Sequence, residues 1–237
     1  MKRLRHYPLG DSAVTFKLGE EISIEVHQRV QALYRGVRQA SWPEVQGVVP
    51  AYNSLTLYFC PLKGSYEQLL AKVEAIYQDF EGFDEAEGGA YKVIPVCYEE
   101  PFALDLERVA RENELSPRQV IELHSRPIYT VYMLGFSPGF PYLGGLAKEL
   151  STPRLTVPRQ EIPAGSVAIG GQQTGIYPCK SPGGWNIVGC TPMILFDSRR
   201  ERPSLLQSGD KVKFEPISAA EFELIRKGMA DEKANRP

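Results

Sequence analysis

No stretch of these 237 residues approaches the roughly 20 consecutive apolar residues of a membrane span, and the basic opening MKRLRHYPLGD lacks the apolar run of a secretory signal. Both absences predict a cytoplasmic protein with no membrane partner. The net charge is only −2, so there is no strong field to gather nucleic acid. Cys60, Cys97, Cys179 and Cys190 contain no C-x-x-C pair, and with His6, His27 and His124 they do not reproduce metal-ligand spacing. No metal is expected. The thiols are expected to be buried and reduced, with Cys179 and Cys190 the pair to watch because they flank glycine-rich turns. There is no G-x-S-x-G, and no histidine follows His124 to act as base for Ser137, Ser166 or Ser181. These serines read as turn residues, and a self-contained serine hydrolase is not expected. Phosphate-loop and dinucleotide fingerprints are also missing, although GGQQTG at 170–175 could offer backbone amides to an anion or simply turn a hairpin.

What is present reads as two modules. RLRHY and AVTFKL predict two strands around a turn at Pro8 to Ser12. Ile22, Val26, Val30, Leu33 and Val37 then recur at helical spacing, ending near Ser41. Val45 to Val49 and the alternating Leu55, Leu57 and Phe59 give two more strands. Ser65 to Gln68 is a capping box before a stripe running from Tyr66 to Phe80. The order strand, strand, helix, strand, strand, helix implies a sheet covered on one face by two helices, an α+β domain over residues 1–85. Acidic EGFDEAEGG, from Glu81 to Gly89, is the expected boundary.

A second domain over residues 90–237 opens with YKVIPVC, whose proline suggests an edge strand. Two short helices follow, from about Leu104 to Asn113 and from the Ser116, Pro117, Gln119 cap. Strands are expected at Ile128 to Phe136, Val167 to Ile169, Asn186 to Val188, Met193 to Phe196 and Lys211 to Glu215. A helix from Ser218 to Met229 and a frayed tail DEKANRP end the chain. Many short strands between Gly/Pro turns read as a barrel or sandwich.

Eleven of the 21 glycines fall between Gly135 and Gly189, in GFSPGFPYLGGL, PRLTVPRQEIPAGSVAIGGQQTGIYP and SPGGWNIVGCTP. Alternating glycine and proline dictate a backbone path, and Phe136, Phe140, Tyr142, Tyr177 and Trp185 sit within those turns. Tyr142, Tyr177 and Trp185 could line a pocket, form a protein contact or pack a core. Arg159 and Gln172 could hold a small acid or amide, since arginine binds carboxylates bidentately and glutamine both donates and accepts. Equally, they could tie one barrel loop to another.

These motifs resemble the allophanate hydrolase subunit 1-like family, which includes the B subunits of bacterial 5-oxoprolinases and KipI, an inhibitor of a sporulation histidine kinase. The resemblance implies a mostly-β, cyclophilin-like barrel after the α+β domain. It marks Phe140, Pro141, Tyr142, Arg159, Gln172, Thr174, Gly175, Tyr177, Ser181, Gly183, Gly184 and Trp185 as candidate substrate- or partner-binding residues, with the catalytic ones undefined. It further implies two roles that can coexist. One is a component that works with subunits A and C in the ATP-dependent opening of 5-oxo-L-proline to L-glutamate, inactive alone and binding no cofactor itself. The other is a binding protein that blocks autophosphorylation of a sensor histidine kinase. Prolyl isomerase activity would follow only from the fold and finds no matching catalytic pattern. Where the family pattern carries a glycine-rich turn after the first barrel strand, this sequence has Tyr98-Glu99-Glu100-Pro101-Phe102-Ala103-Leu104, keeping only Asp105 and Leu106 of the motif's end.

Overall fold

The computed structural model describes residues 4–79 and 89–234, and the chain divides into two compact units, Met1–Gly88 and Gly89–Pro237. The expected Glu81 to Gly89 boundary and Phe80 lie, apart from Gly89, outside the described residues. Among the described residues no helix is long and apolar enough to cross a membrane.

In the first unit, β1 (Arg5–Pro8), β2 (Ala13–Lys17), β3 (Val45–Pro50) and β4 (Ser54–Phe59) form an antiparallel sheet in the order β1-β2-β4-β3. Strand alternation turns Val14 and Phe16 of β2 and Leu55, Leu57 and Phe59 of β4 into one core. Val30, Leu33 and Val37 of α1 (Ile24–Ala40) and Leu69 and Val73 of α2 (Tyr66–Gln78) complete it. Ile22, expected on the helical stripe, is instead exposed ahead of α1, because Ser23 caps the helix by accepting from the Val26 amide. The predicted Ser65–Gln68 capping box is formed in both directions.

The second unit is a closed barrel in the order β10-β7-β6-β13-β5-β12-β9, with a separate two-stranded ribbon of β11 and β8. Its strands are β5 (Tyr91–Cys97), β6 (Ile128–Leu134), β7 (Pro141–Gly144), β8 (Arg159–Ile162), β9 (Ser166–Gly170), β10 (Gln173–Ile176), β11 (Ser181–Gly183), β12 (Asn186–Cys190) and β13 (Lys211–Ile217). Helices α3 (Leu106–Glu112) and α4 (Pro117–Ser125) add Leu106, Val109, Ala110 and Val120 to a core whose strand members include Ile94, Tyr129, Val131, Leu143, Ile169, Val188 and Phe214. The alternate residues of the same strands, Tyr142, Ala168 and Ile187, join a second, smaller cluster. That two-sided apolarity is what positions the site.

Four expectations need correction. β5 is not an edge strand: it pairs along its whole length with β13, and Pro95 is tolerated where the β12 side makes only the Cys97 to Cys190 pair. Met193 to Phe196 is not a strand; Phe196 makes one isolated bridge to Ser204, and buried Leu195 is held by its carbonyl accepting from the Leu205 amide. The terminal helix α5 (Ala219–Ala234) runs past Met229 into the expected tail. Finally, β7, β8, β10 and β11 lie in segments that read as turns, because strands of three or four residues built from PYLG, RQEI, QTGI and SPG carry no hydrophobic period.

Candidate functional site

On the barrel's second apolar side, Phe140, Ile162, Ala168, Tyr177, Trp185 and Ile187 are each at most 5% exposed and pack as one cluster, with Tyr142 at its edge. The rings meet edge to face: Phe140 lies 5.2 Å from Tyr177 and 5.6 Å from Trp185, and Tyr142 lies 5.9 Å from Trp185. Glycine is required where backbone meets these rings. A Cβ on Gly170 would sit 2.5 Å from the Trp185 indole, and one on Gly183 would sit 2.4 Å from the Tyr177 hydroxyl.

Phe136 leans on both Phe140 and Tyr177 but is 64% exposed, and its φ of 65° is unusual for a bulky side chain. A tight turn holds it there, in which the Gly135 amide donates to the Phe140 carbonyl and the Phe140 amide to the Ser137 carbonyl.

Polar groups rim the cluster. Arg159 donates from Nη1 and Nη2 to the two carboxylate oxygens of Asp105 at 2.9 and 2.7 Å, and Asp105 Oδ2 also accepts from the Ile187 amide at 2.7 Å. That clamp ties the β8–β11 ribbon, through the Arg159 to Gly183 pair, to β12 and the start of α3. Arg154 lies with Cζ 5.7 Å from the Trp185 ring centroid. Burial raises the phenols of Tyr142 and Tyr177 above their ordinary range, partly offset at both by the positive charge of Arg154. The hydroxyls of Ser137 and Ser181 are buried and make no hydrogen bond.

The structure gathers Phe140, Pro141, Tyr142, Gly175, Tyr177, Gly183 and Trp185 in or against this cluster, Gly175 because a Cβ there would meet the Pro141 carbonyl at 2.8 Å and the Phe140 ring at 2.9 Å, while Gly184 faces Pro158 and Leu155 instead. Gly184 anchors the neighbouring loop by accepting from the Leu155 amide. Thr174 faces away, since it neighbours Gly175 on a strand. Its hydroxyl donates to the Ala168 carbonyl, so it accepts from His124 Nε2 at 2.9 Å, which leaves His124 Nδ1 to accept from the Tyr98 hydroxyl at 2.8 Å. His124 is wholly buried, stacked on Phe214, and burial lowers its pKa to about 3. Gln172 is exposed in the β9–β10 hairpin turn beside Gly171, whose φ is 62°.

Arg154 and Asp105 are the site residues that sequence reasoning did not select. The repeated Pro-Arg dipeptide, at Pro153-Arg154 as at Pro158-Arg159, was the available signal for the first. Asp105 became visible only through its partner.

The cysteines also need correction: Cys179 is exposed, Cys60 is half-buried, and Cys190 stands opposite Cys97 on β5. Burial pushes the Cys190 thiol up to about 12, and both Cys97 and Cys190 are free thiols. Of the histidines, His6 contacts the Tyr66 hydroxyl at 2.9 Å, and His27 is buried on α1. The described residues form no group of three His, Cys, Asp or Glu side chains able to hold a metal ion.

The family described as Carboxyltransferase domain, subdomain C and D, matches residues 4–206. The chain is 42% identical over 224 residues to the 5-oxoprolinase B subunit of Bacillus subtilis, covering 90% of this chain and 93% of that protein. It is 44% identical over 213 residues to the 5-oxoprolinase B subunit of Haemophilus influenzae, covering 87% and 95%. Among solved structures, TTHA0988 superposes with a TM-score of 0.77 at 38% identity over 88% of this chain, which spans only 40% of that longer one. A conserved uncharacterized protein of Pyrococcus horikoshii, PH0987, gives a TM-score of 0.55 at 43% identity over 92% of this chain and 100% of its own. Matched over most of its length by the family and by relatives above 40% identity, the chain belongs to the carboxyltransferase subdomain C and D family, which bears out the resemblance its motifs carry.

Proposed function

We propose that this chain is the B subunit of an ATP-dependent 5-oxoprolinase, acting in the cytoplasm with subunits A and C to open 5-oxo-L-proline to L-glutamate. The observation that carries the reading is near-full-length similarity to proteins named as 5-oxoprolinase B subunits. The chemistry agrees with it. A lactam carbonyl is a poor electrophile, and phosphorylation of its oxygen by ATP would supply the activation. This chain's aromatic cluster and arginines are suited to binding and orienting a small ring, while its serines lack a neighbouring base. The barrel is, on this reading, of the cyclophilin-like kind, and the chain alone is inactive.

A glutamate-release assay over all subunit combinations tests this. Turnover should require all three subunits and ATP; turnover by A and C without this chain, or by this chain alone, overturns the reading. Inhibition of a sporulation histidine kinase is the second reading. It is favoured by Phe136, an apolar protrusion beside Pro138 suited to a helical partner. Blocked kinase autophosphorylation by a preparation inactive in every glutamate-release mixture would select it.

A further inference from the structure

We propose that Arg154, lying over Trp185, is the carboxylate-binding group of this site and takes the acid group of a small cyclic amide. The inference rests on the oxoprolinase reading and names which residue of this chain holds the substrate's charge. Two arginines border the aromatic cluster, and they are not equivalent. Arg159 is committed to Asp105 through two hydrogen bonds. Among the described residues, Arg154 has no carboxylate partner; what fixes it is the Trp185 face 5.7 Å from its Cζ. Arg154 is exposed, and an arginine with no carboxylate of its own keeps the planar fork of N–H groups that meets a carboxylate in parallel.

The surroundings hold other polar groups. Arg154 lies close enough for its charge to act on both the Tyr142 and Tyr177 hydroxyls. The Ser181 hydroxyl is buried without a partner on the ribbon strand that carries Gly183 against Tyr177. One planar cation suits a carboxylate, whose two oxygens it can meet with two parallel N–H groups.

Two measurements test the proposal. In a Trp42→Phe background Trp185 is the sole indole, and its emission should respond saturably to 5-oxo-L-proline but not to 2-pyrrolidinone, which has the ring without the carboxylate. Arg154→Gln should abolish the response and Arg154→Lys should weaken it. In the reconstituted complex with A and C, Arg154→Gln should raise KM for 5-oxo-L-proline at least tenfold, about 1.4 kcal/mol of binding, with kcat within about twofold. Equal responses to the two probes, or no binding together with an unchanged KM in the variant, overturns the proposal while leaving the oxoprolinase reading standing. A carboxylate-dependent response in a chain that restores no turnover has the opposite meaning: the Arg154 site holds and the oxoprolinase reading fails. An Arg154→Gln variant that binds the probe normally but no longer assembles with A and C places the arginine on a partner's acidic side chain and also overturns it.

Discussion

Asp105 and Arg159, 54 residues apart, meet in a two-pronged ion pair in which Asp105 is 7% exposed and Arg159 29%. The carboxylate does more than the guanidinium, because it also accepts the Ile187 amide. Asp105→Ala should therefore cost roughly 2–3 kcal/mol, somewhat below a fully buried pair because Arg159 keeps contact with water. Arg159→Ala should cost less. Urea unfolding of both single variants and the double variant measures this, and equal single costs would show that the Ile187 amide contributes nothing.

His124 gives the barrel an acid limb. Its folded pKa, about 3, lies below the unfolded value near 6.5, so the unfolded chain binds the extra proton between those values. Its contribution is constant above pH 6.5 and falls as the pH drops toward 3, by up to about 1.4 kcal/mol per pH unit. Comparing the pH dependence of unfolding in the parent and in His124→Gln isolates it. An identical slope in both between pH 4 and 6 would contradict the assignment.

The Trp185 seat should tolerate neither a smaller ring nor a larger floor. Trp185→Ala removes a buried aromatic and should cost about 3–5 kcal/mol. Gly170→Ala forces a methyl into the indole and should cost about 1–3 kcal/mol. Melting curves read both. A Gly170→Ala protein as stable as the parent, with unshifted Trp185 emission, would mean the ring is not seated as described.

Residues 89–237 expressed alone should fold with a single cooperative transition. The barrel core, the aromatic cluster and the Cys97, Cys190, Phe222 cluster draw only on residues beyond 89, and the other core draws only on residues up to 77. A non-cooperative melt for this fragment would show that the two units depend on each other for folding.

The sequence alone determined what local rules control. Helical spacing and two capping boxes placed α1, α2 and α4, because a side chain three residues from the cap needs no distant partner. Alternation placed β4, strand composition beside turns placed β2 and β6, and the glycine-rich motifs marked the aromatic cluster, since backbone that must run against Trp185 and Tyr177 excludes a Cβ. Tertiary structure decided the rest. Strands of three or four residues such as β8 and β11 exist only because a neighbour's backbone completes them, and no periodicity announces that. The same holds for charge. In sequence Arg159 is the more prominent arginine and Arg154 an ordinary loop residue, but Asp105 engages the first and Trp185 presents the second. Which arginine is paired with a carboxylate and which lies by an indole depends on contacts across 54 and 31 positions, which the fold alone brings together.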